Sequence, residues 1–298
     1  MSLTIFIIDC FTIMLSKNSL KKLIHIFTII LVKISRKTMT KNYRSVKSIF
    51  PSKSSKSIKR IVFESHKNYM TFFSTYRYMA VNPLSKVKKI LDEVDIVGKE
   101  HINHLYELNR PVVIVSIHMG DFFKGFLKLA TLAPSTAEVG IIKWMNISKK
   151  ETAAYSKFRE LGANLKLFRL RDKPGLDAIR FLRRKNVLLT LCDIKSDLVK
   201  TTPVSFFDKT AHFPCGPAEL AIAGQAIIMP VYTSESDGKS QLIVCEPIDT
   251  LKVIDEQASL SINGEKVTQL IVSYIENWIK NNPEQWHFWA ILEELWEK

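Results

Sequence analysis

The sequence is poor in the residues that build metal centres and disulfide frameworks. Its four cysteines, Cys10, Cys192, Cys215 and Cys245, form no CxxC pair and have no zinc-ligand spacing. Segments such as LTLCD and LIVCE surround the thiols with apolar residues, which favours buried thiols in a reducing compartment. We therefore predict no metal site, no disulfide framework and no redox cofactor.

Several motifs that identify an enzyme class are also missing. The chain has no GxSxG turn for a serine nucleophile, no GxxxxGKS or GxxxxGKT loop for a nucleotide, no GxGxxG and no HExxH. These absences argue against α/β-hydrolases, P-loop enzymes, dinucleotide-binding folds and zinc peptidases of the usual patterns. Any catalytic machinery must therefore use another set of polar residues.

Acidic residues are scarce relative to basic ones. The 298 residues include 29 Asp and Glu against 43 Lys and Arg, which gives a net charge of +14. A field of that sign favours nucleic acid, an anionic membrane surface or an acidic protein partner. No nucleic-acid-binding motif accompanies the charge, so we expect no nucleic acid partner.

No apolar run reaches the roughly 20 residues that a helix needs to cross a bilayer. Leu3–Leu15 is interrupted by Asp9, and Leu23–Ile34 is shorter still. Two short apolar segments with lysines between and after them suit a hairpin that lies in a membrane interface. The alternative is a pair of core helices.

The basic stretch from residue 37 to 59 favours the membrane interpretation, because each basic residue near an anionic leaflet contributes about 1 kcal/mol. The same preference predicts the cytoplasmic side. We assign residues 1–36 to a membrane-associating segment and residues 37–298 to the catalytic domain. SKSSKS, at 52–57, is the most linker-like tract.

The rest of the chain alternates between strand-like and helix-like segments. Apolar periodicity predicts helices over Arg60–Ala80 and Glu265–Lys280, and Pro230 inside a strand indicates an edge position or a bulge. The predicted strands are Val112–Ile117, Val139–Trp144, Leu165–Leu170, Val187–Cys192, Ala226–Tyr232 and Gln241–Cys245. The predicted shorter helices are Phe122–Ala133, Ser148–Leu161, Leu176–Arg184 and Pro217–Ala223. This order predicts an α/β fold with a mixed sheet and helices on both of its faces.

One strand of this pattern ends at a histidine. The segment SIHMGDFFKG follows the apolar run PVVIV, which places His118 at the carboxyl end of a strand, where ligands of α/β sheets bind. A histidine there can act as a general base, and a nearby carboxylate such as Asp121 can orient it. Two structural alternatives remain: a histidine with structural hydrogen bonds, and Asp121 as a helix N-cap.

Four longer stretches of the chain carry a further signal. They are VDIVGKEHINHLYELNRPVVIVSIHMGDF, LLTLCDIKSD, PVSFFDKTAHFPCGPAELAIAGQAIIMPVYT and YIENWIKNNPEQWHFWAIL. Together they resemble one family, the bacterial lipid A biosynthesis (late) acyltransferases. The resemblance covers roughly two thirds of the chain. It implies a fold like that of the glycerol-phosphate acyltransferases, preceded by membrane-associating helices.

The resemblance also implies an activity. It predicts transfer of a fatty acyl group from a thioester, on acyl carrier protein rather than coenzyme A, to a lipid A precursor or related glycolipid at the cytoplasmic face of the inner membrane. His118 would deprotonate the acceptor hydroxyl, and Asp121 would orient His118. Lys143, Arg159 and Asp193 are assigned to substrate binding.

Each of these substrate-binding assignments has an alternative. Lys143 and Arg159 would meet phosphate on the acceptor or the donor's pantetheine arm, although Arg159 also fits a solvated helix position. Asp193 would shape the loop before FFDK, or cap a turn.

The chain departs from the family's pattern at two places. The family places Glu or Asp five residues after its histidine, where this chain has Phe123, and it shows Tyr-Arg-Pro where this chain has Ile142, Lys143 and Trp144. A lysine keeps the positive charge but lacks the bidentate fork of arginine. Two rival functions follow: a same-fold acyltransferase for a phospholipid or secondary-metabolite acceptor, and a non-catalytic membrane-binding relative.

Overall fold

The computed structural model describes residues 17–133, 137–143, 149–194, 197–236 and 239–296. Its strands are β1 (Val94–Val97), β2 (Val112–Ser116), β3 (Glu138–Lys143), β4 (Asn164–Arg169), β5 (Val187–Leu191), β6 (Thr201–Phe206), β7 (Lys209–Pro214), β8 (Ile227–Ser236), β9 (Lys239–Val244) and β10 (Ile248–Asp249). Its longer helices are α1 (Lys17–Ile34), α2 (Arg36–Ile49), α3 (Ser55–Val81), α4 (Leu84–Asp92), α5 (Lys99–Leu108), α6 (Phe122–Ala130), α7 (Lys149–Glu160), α8 (Gly175–Arg183), α9 (Gly216–Gly224) and α11 (Leu260–Asn281). Single-turn helices are α10 (Thr250–Val253) and α12 (Leu292–Leu295), with 3₁₀ turns at Leu170–Asp172 and Trp289–Ile291.

A mixed eight-stranded sheet forms the centre of the fold, in the order β1-β9-β8-β2-β5-β3-β4 with β10 beside β8. Five strands are mutually parallel: β8, β2, β5, β3 and β4. Strands β9 and β10 run antiparallel to β8, and β1 runs parallel to β9. A separate hairpin pairs β6 with β7. The predicted fold class, α/β with a mixed sheet and helices, is confirmed.

Side-chain alternation along β2 shows how the sheet is buried on both faces. Val113 and Val115 pack into one apolar cluster, with α8, α9 and α11. Val112 and Ile114 pack into the other, with α5, α6 and α7. Because successive strand side chains point to opposite faces, a strand buried on both sides reads as a continuous apolar run.

Most of the predicted elements are present, but α3 and α11 begin five residues earlier than predicted, α6 ends three residues earlier and β8 extends four residues further. The helices α2, α4 and α5, the strands β1 and β10 and the β6–β7 hairpin were not predicted. The second half of SKSSKS is helical, because α3 begins at Ser55 and Ser54 caps it by accepting a hydrogen bond from the Ser57 N–H at 3.2 Å. Pro230 lies in a central strand and not at an edge. On one side of β8, pairing with β10 ends at Ile228 and pairing with β9 begins at Val231. Pro230 lies between these two partner strands, so neither of them needs its missing N–H.

The amino-terminal region is helical where it is described. The first apolar segment, Leu3–Leu15, lies outside the described residues, and the second forms part of α1, which packs against α3 through Ile24 and Met70. Among the helices that the structure describes, none has both the length and the hydrophobicity needed to cross a membrane. The division at residue 36 and the membrane association stay predictions.

A short loop, residues 117–121, joins β2 to α6 and is held by two neighbouring segments. The Gly120 N–H donates to the Gln285 carbonyl at 3.0 Å, and the Thr233 hydroxyl donates to the Met119 carbonyl at 2.7 Å. Gly120 has a φ of +54°, and a Cβ at this position would lie 2.4 Å from the Thr233 carbonyl oxygen. Only glycine therefore fits between the loop and β8.

We predict that Gly120→Ala lowers the free energy of unfolding by about 2 kcal/mol or more, because it combines a left-handed backbone with a backbone clash. Chemical denaturation of both proteins measures the change. Gly175→Ala is the matched control, since Gly175 is exposed and a Cβ there would meet no atom within 4 Å. Equal stability of the Gly120→Ala variant and the wild type would contradict the description of this loop.

Candidate active site

Strand register brings His118 and Asp193 together. In the parallel ladder between β2 and β5, Ser116 pairs with Leu191, and the Cys192 N–H continues the ladder by donating to the Ser116 carbonyl at 2.9 Å. Two residues beyond the end of each strand, His118 and Asp193 therefore lie opposite each other. Both lie at the carboxyl edge of the parallel strands, where the chemistry of α/β sheets is usually found.

Asp193 receives three hydrogen bonds and is completely buried. Its Oδ1 lies 2.7 Å from His118 Nδ1, and its Oδ2 accepts from the His118 backbone N–H and the Trp286 indole N–H, each at 3.0 Å. Burial by itself raises the pKa of this carboxyl. The opposing attraction of His118, together with the three hydrogen bonds, holds the pKa below its ordinary value. Asp193 is therefore ionised.

An ionised carboxylate accepts hydrogen bonds and donates none, so His118 Nδ1 must carry the proton in the 2.7 Å contact. The neutral ring then has an unprotonated Nε2, which can accept a proton from a substrate. The side chain of His118 keeps 16% of its surface exposed, whereas Asp193 keeps 1%. This arrangement is that of a general base with a buried carboxylate behind it.

Asp121 does not contact the His118 ring in this structure, contrary to the prediction. Its Oδ1 caps α6 by accepting from the Lys124 N–H at 3.2 Å, and its Oδ2 lies 3.7 Å from Lys124 Nζ. Lys124 Nζ also pairs with Glu235 at 2.7 Å and bonds Ser240. Burial, stronger than the attraction of Lys124, raises the pKa of the Asp121 carboxyl to about 6. The helix-cap alternative therefore describes its position.

The substrate-binding assignment of Asp193 also differs from the observed geometry, because a fully buried carboxylate with three protein donors has no surface to offer a substrate. Lys143 ends β3 at the same carboxyl edge as His118, and its Nζ lies 5.0 Å from the centre of the Tyr155 ring. Arg159 lies on α7 with an exposed side chain. The structure thus brings Lys143 to the edge of the sheet that carries His118, and gives no contact between Arg159 and that edge.

Phe123, at the position where the family has its acid, belongs to the core. Its ring is 4% exposed and packs edge-on against Tyr76, Tyr155 and Phe158 at centroid distances of 4.7, 5.7 and 5.8 Å. A carboxylate here would lose these ring contacts, and burial would destabilise its charged form. The residues around position 123 therefore pack against an aromatic ring there.

The segment from Pro283 to Trp289, here the carboxy-terminal segment, completes the site. Met119 and Trp286 form an antiparallel bridge, and the His287 N–H donates to the His118 carbonyl at 3.0 Å. Helix α3 holds the segment from the other side, since Ser65 and Asn68 donate to the carbonyls of Trp286 and Glu284 at 2.5 and 2.8 Å. The Trp286 indole is thereby fixed against Asp193.

Two aromatic side chains pack against the His118 ring. Phe288 and Phe122 lie 4.5 and 4.9 Å from it between ring centres, and Phe72 stacks on Phe122 at 4.4 Å. These rings make the surroundings of the His118 ring apolar. No sequence pattern predicted a role for these rings, for Trp286 or for His287, and all of them except Phe122 come from segments distant from His118 in the chain.

One comparison with known proteins matches almost the whole chain. The sequence model of the family described as bacterial lipid A biosynthesis acyltransferase matches residues 2–297. No curated protein sequence matches the chain significantly. The family match covers both strand ends that carry His118 and Asp193 and the whole carboxy-terminal segment. The chain therefore belongs to the bacterial lipid A biosynthesis acyltransferase family.

Proposed function

We propose that this protein transfers a fatty acyl group from acyl carrier protein to a hydroxyl of a lipid A precursor, at the cytoplasmic face of the inner membrane. The observation that carries the proposal is the 2.7 Å contact between His118 Nδ1 and the ionised Asp193, which leaves Nε2 as the base. His118 is the catalytic residue and Asp193 its positioning residue.

In the proposed reaction, His118 Nε2 takes the proton of the acceptor hydroxyl while its oxygen attacks the thioester carbonyl carbon. A carbon–oxygen bond forms, and the carbonyl electron pair moves onto its oxygen. When this intermediate collapses, the carbon–sulfur bond breaks and the thiolate leaves with the proton that His118 carried. Asp193 stabilises the imidazolium between the two proton transfers.

The choice of donor rests on charge. A net charge of +14 attracts an acidic carrier protein and increases its rate of encounter. Lys143, at the carboxyl edge, is the cation that we assign to phosphate on the pantetheine arm or the acceptor. Arg159 lies in the last turn of α7, near the start of β4 and away from that edge, so it has no part in the proposal. No redox group or metal ion enters this chemistry.

The membrane location rests on one face of α1. Ile26, Ile29, Ile30 and Ile34 repeat at helical spacing and are 54, 38, 44 and 74% exposed. The following helix α2 is basic, with exposed Arg36, Lys37, Arg44 and Lys47. An exposed apolar stripe beside a basic helix fits an interfacial membrane contact, with the cations near anionic headgroups.

The direct test of the activity supplies the purified full chain with fatty acyl carrier protein and a lipid A precursor. We expect mass spectrometry of the acceptor to show a gain of one acyl group, at a higher rate than with the coenzyme A thioester. If lysophosphatidylethanolamine gains an acyl group and the lipid A precursor does not, the acceptor is a phospholipid. If neither acceptor gains an acyl group, the proposed activity is wrong and a non-catalytic role remains.

We predict that Asp193→Asn lowers kcat by about 10²- to 10⁴-fold. Two N–H groups point at Oδ2, so the amide oxygen must occupy that position and the amide NH₂ must face His118 Nδ1. Nδ1 then becomes an acceptor and the proton moves to Nε2, which can no longer act as a base. His118→Ala should show a loss of similar size.

Asp121→Asn is the matched control for Asp193→Asn. Asn caps a helix about as well as Asp, and the Asp121 carboxylate does not contact His118. We expect a kcat within about threefold of the wild type in the same assay. A near-normal rate for Asp193→Asn, or a large loss for Asp121→Asn in a stable protein, would reverse the assignment of the positioning carboxylate.

We also predict that replacing Ile26, Ile30 and Ile34 by serine releases most of the protein from vesicles of phosphatidylcholine with about 30% phosphatidylglycerol. Sedimentation with the vesicles measures the bound fraction. The control replaces the exposed Leu260, Ile262 and Leu270 of α11, which are 46, 63 and 37% exposed, by serine. Equal release by both triple variants, or by neither, would exclude the α1 face as the anchor.

A further inference from the structure

A second histidine lies beside the proposed base. Met119 and Trp286 form an isolated antiparallel bridge, and beside it the His287 N–H donates to the His118 carbonyl at 3.0 Å. Both imidazoles lie near the Phe122 ring, at 4.9 and 6.2 Å between ring centres. The two histidines therefore belong to one site.

His287 is buried and poorly satisfied. The residue is 8% exposed, and neither ring nitrogen makes a well-aligned hydrogen bond to any residue that the structure describes, although the Gly120 backbone lies near enough to affect its pKa. Aromatic rings surround it, with Tyr69, Phe72 and Phe122 at centroid distances of 5.5, 5.6 and 6.2 Å. A buried polar group without a partner destabilises the fold, so its presence beside a reaction centre needs a functional explanation.

The charge state of His287 restricts what it can do. Burial, followed by repulsion from His118, lowers the pKa of His287 to about 3, against the smaller raising effects of Asp193 and the Gly120 carbonyl. A ring that stays neutral at physiological pH is a poor base. It keeps one N–H, and a neutral N–H in an apolar site is a hydrogen-bond donor that brings no net charge.

We propose that His287 is a second catalytic residue, whose ring N–H donates a hydrogen bond to the carbonyl oxygen of the donor thioester. This inference rests on the proposed acyl transfer. The carbonyl oxygen gains negative charge when the acceptor oxygen bonds to the carbonyl carbon, and loses it when the carbon–sulfur bond breaks. A fixed donor there is bound more strongly in the transition state than in the ground state, which accelerates the step. His118 moves the proton, and His287 stabilises the oxyanion.

The test compares His287→Phe with the wild-type full chain, using fatty acyl carrier protein and a lipid A precursor. Phenylalanine keeps the packing against the three rings and removes both nitrogens. We expect kcat to fall by about 10²- to 10³-fold with little change in KM, while the melting temperature stays equal or rises. If His287 were only structural, its replacement would not lower kcat while leaving the melting temperature equal or higher. The control is His101→Phe, the same change on the distant helix α5, with activity unchanged.

Two further variants test the hydrogen bond itself. His287→Gln and His287→Asn place an amide N–H near the former positions of Nε2 and Nδ1. At least one of them should exceed His287→Phe in kcat by about tenfold, and its identity shows which nitrogen donates. If His287→Phe fails to fold, these two variants still test the hydrogen bond.

Three outcomes overturn the inference: a wild-type kcat for His287→Phe, a loss confined to KM, or amide variants no better than phenylalanine. The wild-type protein separates this failure from that of the proposed function. If the wild type transfers no acyl group to the precursor, the proposed function and this inference fall together. If it does and His287→Phe matches it, only the inference is lost.

Discussion

The site depends on one buried carboxylate. Asp193 accepts hydrogen bonds from the backbone and ring of His118 and from Trp286, so a single side chain joins the ends of β2 and β5 to the carboxy-terminal segment. A buried charge is tolerated only when its hydrogen bonds are satisfied, which requires all three donors to be in place. The same requirement determines which nitrogen of His118 is protonated. Positioning of the site and its acid–base chemistry therefore have one physical cause.

A second buried cluster fixes the other side of the loop that carries His118. Asp121 caps α6, and Lys124 joins it to Glu235 of β8. The Gln285 side chain bonds the backbone N–H and carbonyl of Glu235 at 3.2 and 2.9 Å, which ties this cluster to the carboxy-terminal segment. The two carboxylates that hold this loop, Asp193 and Asp121, thus have separate tasks. Asp193 orients the base, and Asp121 anchors the helix that follows it.

Most of the sheet could be predicted from the sequence because buried parallel strands are continuous apolar runs. The β6–β7 hairpin could not, since its alternation is interrupted by Pro203 and its turn, at Phe207 and Asp208, lacks glycine.

His118 was found from its place at a strand end. His118 comes six residues after the start of β2, and Asp193 comes six residues after the start of β5. The two side chains meet only because β2 and β5 are neighbours in the sheet, which the sequence does not show. Asp121 was chosen because it is close in sequence, whereas catalytic partners are close in space. His287 gave no signal, because an antiparallel bridge between distant segments has no local pattern.

The measurement that tests this account most directly is the tautomer of His118 in the wild-type protein. Long-range proton–nitrogen NMR spectra of histidine-labelled protein distinguish a protonated from an unprotonated ring nitrogen. The account predicts a neutral His118 ring that is protonated at Nδ1 and unprotonated at Nε2, because Nδ1 donates to Asp193. A neutral ring protonated at Nε2 would contradict it, since neither the Asp193 hydrogen bond nor the proposed general base could then exist.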